Sequence, residues 1–301
     1  MQYLTEPLQY EFFRNGLIAA LIIGALCGLM GVYIVLRKMS YIGHGLSHSV
    51  FGGAVVSYLM GINFFIGAGL WGFLSALLIN RAARKRGIGA DAAIGIITTA
   101  SFALGVALIS KTRSFSRDFE SALFGNILGV TPQDIMVMAA VALVVLIAVL
   151  VFYKQLLFST FDPEIAPIYG VHSTWVETGF ALALAATIVA SLNVVGATLI
   201  AAAIVIPSTT ARQLTDSFGR TMVLSTIIGA LCGVAGMYGS YWFDIASGAA
   251  IVLFSAAVFV VVLTYASTRD RLKRRRAMAV PSSAAVVTSE IIEAPAAGTA
   301  D

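Results

Sequence analysis

The stretch "GLIAALIIGALCGLMGVYIVL", residues 16–36, contains no charged residue in 21 positions. As a helix rising about 1.5 Å per residue it is about 32 Å long, enough to cross a hydrocarbon core of about 30 Å. The residues before it, "MQYLTEPLQYEFFRNG", carry Glu6 and Glu11 and show no basic start, short apolar core and small-residue cleavage site. A secretory signal needs all three. The span is therefore expected to be retained.

The rest of the chain repeats the pattern. Of 301 residues, 59% are hydrophobic and only 11% are charged, with mean hydropathy +0.91. A soluble domain carries about 25% charged residues, so this chain cannot cover a water-facing surface. The alternation of a membrane barrel strand is absent, and the expected class is an all-α polytopic membrane protein. The apolar runs divide into nine spans, with eight or ten as the bounds: 16–36, 45–60, 63–80, 92–110, 133–153, 175–192, 194–211, 221–242 and 247–267. Two long uncharged runs need internal breaks, placed at Gly61-Ile62-Asn63 and at Asn193 as turn-forming residues.

Charge sets the orientation. With the N-terminus outside, the inside segments hold 15 Lys and Arg and the outside segments 4. That asymmetry follows the positive-inside rule, and it places the loop 154–174 and the C-terminus in the cytoplasm. The net charge of +4 is thus read as topology, with no nucleic-acid partner implied. Residues 1–15 form an extracytoplasmic segment, 16–267 the transmembrane domain, and 268–301 a tail. The tail opens with "RDRLKRRR", a membrane-surface stop, and continues in Ala, Pro and Ser, a composition expected to be disordered.

Glycine-rich runs such as "GALCGLMG" (24–31) and "GALCGVAGMYG" (229–239) put small residues at helical spacings. In lipid, where apolar association has no water to drive it, such residues let helices approach closely. Cys27 and Cys232 are each inside a span and read as packing residues.

Ionisable residues within a membrane are expensive and mark candidate function. His44 and His48, in "MSYIGHGLSHSVFGG" (39–53), stand at i and i+4 and so project from one helix face. That spacing suits two imidazoles sharing one metal ion; two interfacial histidines satisfied by backbone or water have the same spacing. Asp91 opens a span, where a carboxylate complements the helix dipole or lines a pathway. Asp244 lies between the last two spans and can cap the last helix or line an outer vestibule. Pro207, in "AAAIVIPSTTA", is expected to kink its helix, with the hydroxyls of Ser208, Thr209 and Thr210 meeting the freed carbonyls; such a break can line a pathway or serve packing alone. In "FSTFDPEIAPIYGVHST" (158–174), Asp162, Pro163 and Glu164 read as a helix start and Gly170 as its end. The amphipathic helix between them suits docking to a soluble partner, and a solvated loop is the other reading. His172 is far in sequence from the pair and is not taken as a ligand. No phosphate-binding G-x-x-x-x-G-K-[ST] motif is present, so ATP-driven transport would need a separate ATPase chain. No nucleophile, base and orienter set marks an enzyme.

The chain resembles the permease subunits of bacterial ATP-binding-cassette importers for zinc and manganese, related to the vitamin B12 importer fold. The resemblance covers about residues 15–266. It rests on "LRKMSYIGHGLSHSVFGGAVVSYLMG" (36–61), "DAAIGIITTASFALGVALIS" (91–110), "LFGNILGV" (123–130), "FDPEIAPIYGV" (161–171), "VVGATLIAAAIVIPSTTARQL" (194–214) and "DIASGAAIVL" (244–253). It implies a B12 importer-like bundle in the bacterial inner membrane and a homodimer of permeases with the pathway between them. It also implies two cytoplasmic ATPases, with ATP bound there, and an extracytoplasmic metal-binding protein. The segment from Asp162 to Gly170 looks like the one that docks on the ATPase. His48 matches the family's pathway histidine; His44 stands where the family usually carries Asp, and Gly52 where it often has Pro.

The change to His44 bears on the cargo. Imidazole suits zinc, whereas carboxylate oxygens suit manganese. Two such pairs across a dimer would offer four nitrogens, the number a tetrahedral zinc site takes. Zinc is thus the expected substrate, held transiently with no permanently bound cofactor, and manganese or iron is the alternative. An ATP-independent cation channel or secondary carrier is the competing class.

Overall fold

Why the chain folds as a bundle is clearest where its two glycine-rich runs meet. In a computed structural model, which describes residues 5–83, 89–112, 123–162 and 166–279 (side chains of 270 and 272–279 excepted), helix α1 (Glu11–Leu36) packs along its length against α9 (Phe218–Phe243). At their crossing a Cβ on Gly24 would collide with the carbonyl of Gly229. One turn on, Ser225 Oγ donates to Gly28 O at 2.6 Å. Backbone is set against backbone because no side chain intervenes, the arrangement small residues permit in lipid.

Between these two helices the chain forms α2 (Ser40–Met60), α3 (Phe64–Ala83), α4 (Ala90–Thr112), α5 (Pro132–Val151), the short α6 (Tyr153–Phe161), α7 (Ser173–Val195) and α8 (Ile200–Leu214); α10 (Ser247–Ala279) follows α9. The described residues contain no strand. α1 and α7 are the most enclosed spans, whereas α4, α5 and α10 turn large apolar side chains outward. α2 is gripped by α3 and α4 on one side and by α7 and α8 on another.

Among the described residues seven helices are long and apolar enough to cross a membrane: α1, α3, α4, α5, α7, α9 and α10. Seven of the nine expected spans meet this criterion; those at 45–60 and 194–211 do not. α8 has 15 residues, about 22 Å of helix, which is shorter than a bilayer core. α2 has 21 residues, but His44, Ser47, His48 and Ser49 dilute its apolar character. Both helices are embedded in other helices, where lipid compatibility is not required of them.

The break after Met60 stands where expected. Gly61 takes the left-handed conformation (φ +67°) and Asn63 Oδ1 accepts the Phe65 N–H at 2.9 Å. The second break is not at Asn193, which is helical; α7 continues to Val195 and stops at Gly196 (φ +85°). Glycine alone adopts that conformation at little cost, having no Cβ. Helix α10 runs to Ala279, so the basic cluster after Arg269 extends the helix and does not end it. Residues 280–301 lie outside the described residues.

Candidate metal pathway site

The site is built on one face of α2. His44 and His48 are each half-buried, and their Nε2 atoms lie 3.2 Å apart, with the rings at 88° and centroids 4.5 Å apart. One helical turn separates them, as i, i+4 geometry requires. Tyr41 flanks His44 at 5.7 Å between ring centroids, and Phe102 of α4 sets its ring against His48 at 4.9 Å and 72°. Nδ1 of His48 is buried and has no hydrogen-bond partner among the described residues.

Two lone pairs at this separation suit a shared cation. Ligands about 2.05 Å from zinc at the tetrahedral angle lie about 3.3 Å apart. Adjacent corners of an octahedron with bonds of about 2.2 Å lie about 3.1 Å apart, the geometry manganese favours. The pair geometry therefore accommodates either ion. Among the described residues no cluster of three or more His, Cys, Asp or Glu side chains forms. The chain's own contribution here is two nitrogens, which suits passage better than storage.

The backbone behind the pair is locked. Ser47 Oγ reaches both His44 O (2.7 Å) and Ala197 O (2.8 Å). Ala197 belongs to the turn between α7 and α8, so the histidine helix is tied to the chain break at Gly196. On that break two further motifs, 123–130 and 244–253, converge. The Thr198 hydroxyl and N–H both donate to Leu123 O (2.8 and 3.2 Å), and the Asn126 N–H donates to Asn193 O at 2.8 Å. Gly125 (φ +81°) lies against Gly196, and Gly248 lies against the carbonyls of Val195 and Phe124. Ser49 Oγ donates to Ser75 Oγ of α3, and Gly52 lets α4 approach so closely that a Cβ would meet the Ser101 carbonyl.

The other expected site residues are elsewhere. Asp91 is exposed in the first turn of α4. Asp244 does not cap the last helix: it is exposed and in the left-handed conformation (φ +51°) as the C-cap of α9. Pro207 is buried within α8. The following hydroxyls bond to the carbonyls of Ile204, Val205 and Ile206. The carbonyl that the proline ring frees is that of Ala203, so the expected compensation is displaced along the helix. Asp162 is the C-cap of α6, a helix the sequence reading did not foresee; its carbonyl accepts the Ala166 N–H at 3.1 Å. The expected amphipathic helix is a single 3-10 turn, Ala166–Tyr169, closed by Gly170 (φ +75°). Pro163 and Glu164 lie outside the described residues. His172 is exposed at the start of α7.

A cavity of about 400 Å³ lies at one end of the bundle, where α1, α3 and α6 finish and α2, α4 and α7 begin. Arg37, Asn80, Ser159, Thr160 and Glu177 supply its polar lining. Burial pulls the pKa of Arg37 below its ordinary value, and the nearby Glu177 carboxylate opposes that shift. Arg37 is the residue the sequence reading passed over, having counted it only as a topological charge.

Comparison with known proteins decides the family: residues 9–266 match the model of the ABC 3 transport family. The chain belongs to that family. The manganese transport system membrane protein MntC of Listeria monocytogenes is 39% identical over 272 residues, covering 90% of this chain and 97% of that protein. The manganese import system permease protein ScaB of Streptococcus gordonii is 37% identical, covering 91% and 98%. A probable iron transport system membrane protein of Haemophilus influenzae is 35% identical, covering 89% and 99%. The solved structure of PsaBC from Streptococcus pneumoniae in complex with Fab superposes with TM-score 0.79 at 34% identity, covering 87% and 94%. An inward-facing transporter of metal-chelate ABC type shares the fold at TM-score 0.67 and 15% identity, covering 83% and 85%. This ABC 3 family member is a multi-pass membrane permease of the metal-ion ABC importers, with the fold expected from the resemblance. The lean to zinc finds no support among these relatives; manganese, the alternative, does.

Proposed function

We propose that the chain is the membrane permease of an ATP-driven importer of manganese, in which His44 and His48 pass the cation along α2. The observation that carries the reading is the convergence of two Nε2 atoms 3.2 Å apart within a family member whose relatives are named for manganese transport. ATP hydrolysis belongs to a separate cytoplasmic ATPase, docked on the segment from Asp162 through Pro163 and Glu164 to Gly170. An extracytoplasmic metal-binding protein delivers the cation, and two copies of the permease form the pathway between them. The N-terminus is outside and the C-terminus cytoplasmic, so α2 and α8 also traverse the membrane region, enclosed by protein, to give nine crossings. The grouping of Arg37, Arg81 and the ends of α1 and α3 at one end of the bundle supports that orientation.

Zinc is the second reading, favoured by one observation: both members of the pair are imidazoles, the ligand type zinc prefers. Mass-spectrometric metal content distinguishes the two. The chain is expressed with its cognate ATPase and binding protein in a strain lacking its own zinc and manganese importers, as wild type and as His44→Ala/His48→Ala. Manganese accumulation in the wild type alone, at equal membrane levels, supports the proposal. Zinc accumulation alone moves the cargo to the second reading. Equal accumulation in both versions removes the pair from the pathway. Uptake that persists without the ATPase identifies a channel or secondary carrier instead.

A further inference from the structure

Three residues, Arg37 to Met39, join α1 to the histidine helix. The joint is tight. The Lys38 N–H donates to Val35 O and the Met39 N–H to Ile34 O, a Schellman closure with Lys38 in the left-handed position (φ +56°) where glycine is usual. Arg37 holds this joint from the side. Its Nε donates to Thr160 Oγ1 at 3.0 Å, its Nη2 donates to Ser159 Oγ at 3.3 Å, and its guanidinium carbon lies 4.4 Å above the Phe180 ring. The acceptor at Thr160 is pre-set: its hydroxyl spends its own proton on Leu156 O at 2.6 Å, leaving a lone pair for Arg37.

The placement of these partners gives the contact its meaning. Ser159 and Thr160 are in the last turn of α6, which Phe161 ends and Asp162 caps. On the other side of the joint α2 starts at Ser40, and His44 and His48 occupy its second and third turns. The Arg37 hydrogen bonds run from the end of α6 to the joint that opens the histidine helix. A planar guanidinium can donate two bonds in its plane while offering its face to an aromatic ring; an ammonium cannot do both.

We infer that Arg37 is a positioning residue that transmits movement of the ATPase-facing segment to α2, so that the His44/His48 pair is reoriented when the ATPase closes. The inference rests on the importer reading above and deepens it. A shift of α6 pulls on the guanidinium through Ser159 and Thr160, and the three-residue joint leaves α2 little freedom to lag behind.

The test uses the full permease with its cognate ATPase in proteoliposomes, with manganese-loaded binding protein outside. Manganese transported per ATP hydrolysed is measured, together with basal ATPase activity and complex yield. Arg37→Lys keeps the charge, and Ser159→Ala/Thr160→Val removes the acceptors while keeping Arg37. Each is expected to lower manganese per ATP by about fivefold or more, the low end of coupling energies between sites, with basal ATPase activity retained. The combined variant should be no worse than Arg37→Lys alone, because one link is being cut twice. Wild-type stoichiometry in Arg37→Lys overturns the inference, as do defects that multiply when combined. Should Arg37→Lys assemble poorly, the Ser159→Ala/Thr160→Val variant decides by the same ratio. A wild-type complex that hydrolyses ATP without moving manganese or zinc sinks the importer reading, and this inference with it.

Discussion

Ser47 Oγ bridges the carbonyl of His44 and the carbonyl of Ala197, 150 residues away in the chain. One hydroxyl thereby joins the turn that carries the first histidine to the break between α7 and α8. The site is accordingly held by a chain break as much as by the helix on which it is displayed.

Replacing Ser47 by Ala leaves the buried Ala197 carbonyl without this donor. An unsatisfied buried acceptor costs about 1–3 kcal/mol, so thermal unfolding in detergent should show a lower midpoint. Metal uptake should fall in parallel at equal membrane level. A midpoint equal to wild type would show that the bridge contributes nothing measurable.

Gly196 combines a left-handed backbone with contact against Gly125 N and Leu123 O at 2.5 Å from an added Cβ. Gly196→Ala therefore meets both strain and collision, together about 2–4 kcal/mol. Loss of monodisperse protein in size-exclusion chromatography is the expected outcome. Gly179→Ala is the control, since its Cβ would meet nothing within 4 Å and should leave the profile unchanged.

His44→Asp restores the carboxylate that the resemblance leads one to expect at that position. Oxygen in place of nitrogen should raise the uptake ratio of manganese to zinc by about tenfold, a ligand preference of about 1.4 kcal/mol. Competitive uptake of the two radiolabelled metals measures it. An unchanged ratio would mean that His44 does not contact the cargo.

Phe102 packs on both His48 and Phe51, at centroid distances of 4.9 and 5.4 Å. Phe102→Ala frees the His48 ring to leave its partner. A contact of this kind is worth about 0.5–1.5 kcal/mol, so the manganese concentration for half-maximal uptake should rise about two- to tenfold. Phe102→Leu, which keeps bulk, should fall between. A rise in neither variant would leave His48 oriented by its own helix alone.

Much of this protein was legible in its residues because membrane physics acts on short stretches of chain. Apolar length located the helices: the stretch 16–36 became the inner part of α1, and Pro132 opened α5 within one residue of expectation. The i, i+4 spacing put His44 and His48 on one face before any fold was known. Composition by itself also excluded a soluble domain. The misses have a common cause. Asn193 and Gly196 are both turn-forming residues three positions apart, and only the packing of Leu123 and Gly125 against the latter selects it. Hydropathy likewise cannot register that α2 and α8 are enclosed within the bundle. Arg37 read as one of 15 topological charges, since neither Ser159, Thr160 nor Phe180 is its neighbour in sequence. The residues by themselves thus determined the membrane class, the helices and the histidine pair, all of which depend on interactions within about four positions. The tie of α2 to the Gly196 break and of Arg37 to α6 was decided only by tertiary structure, because each is a hydrogen bond across more than 100 positions, whose partners local periodicity cannot name.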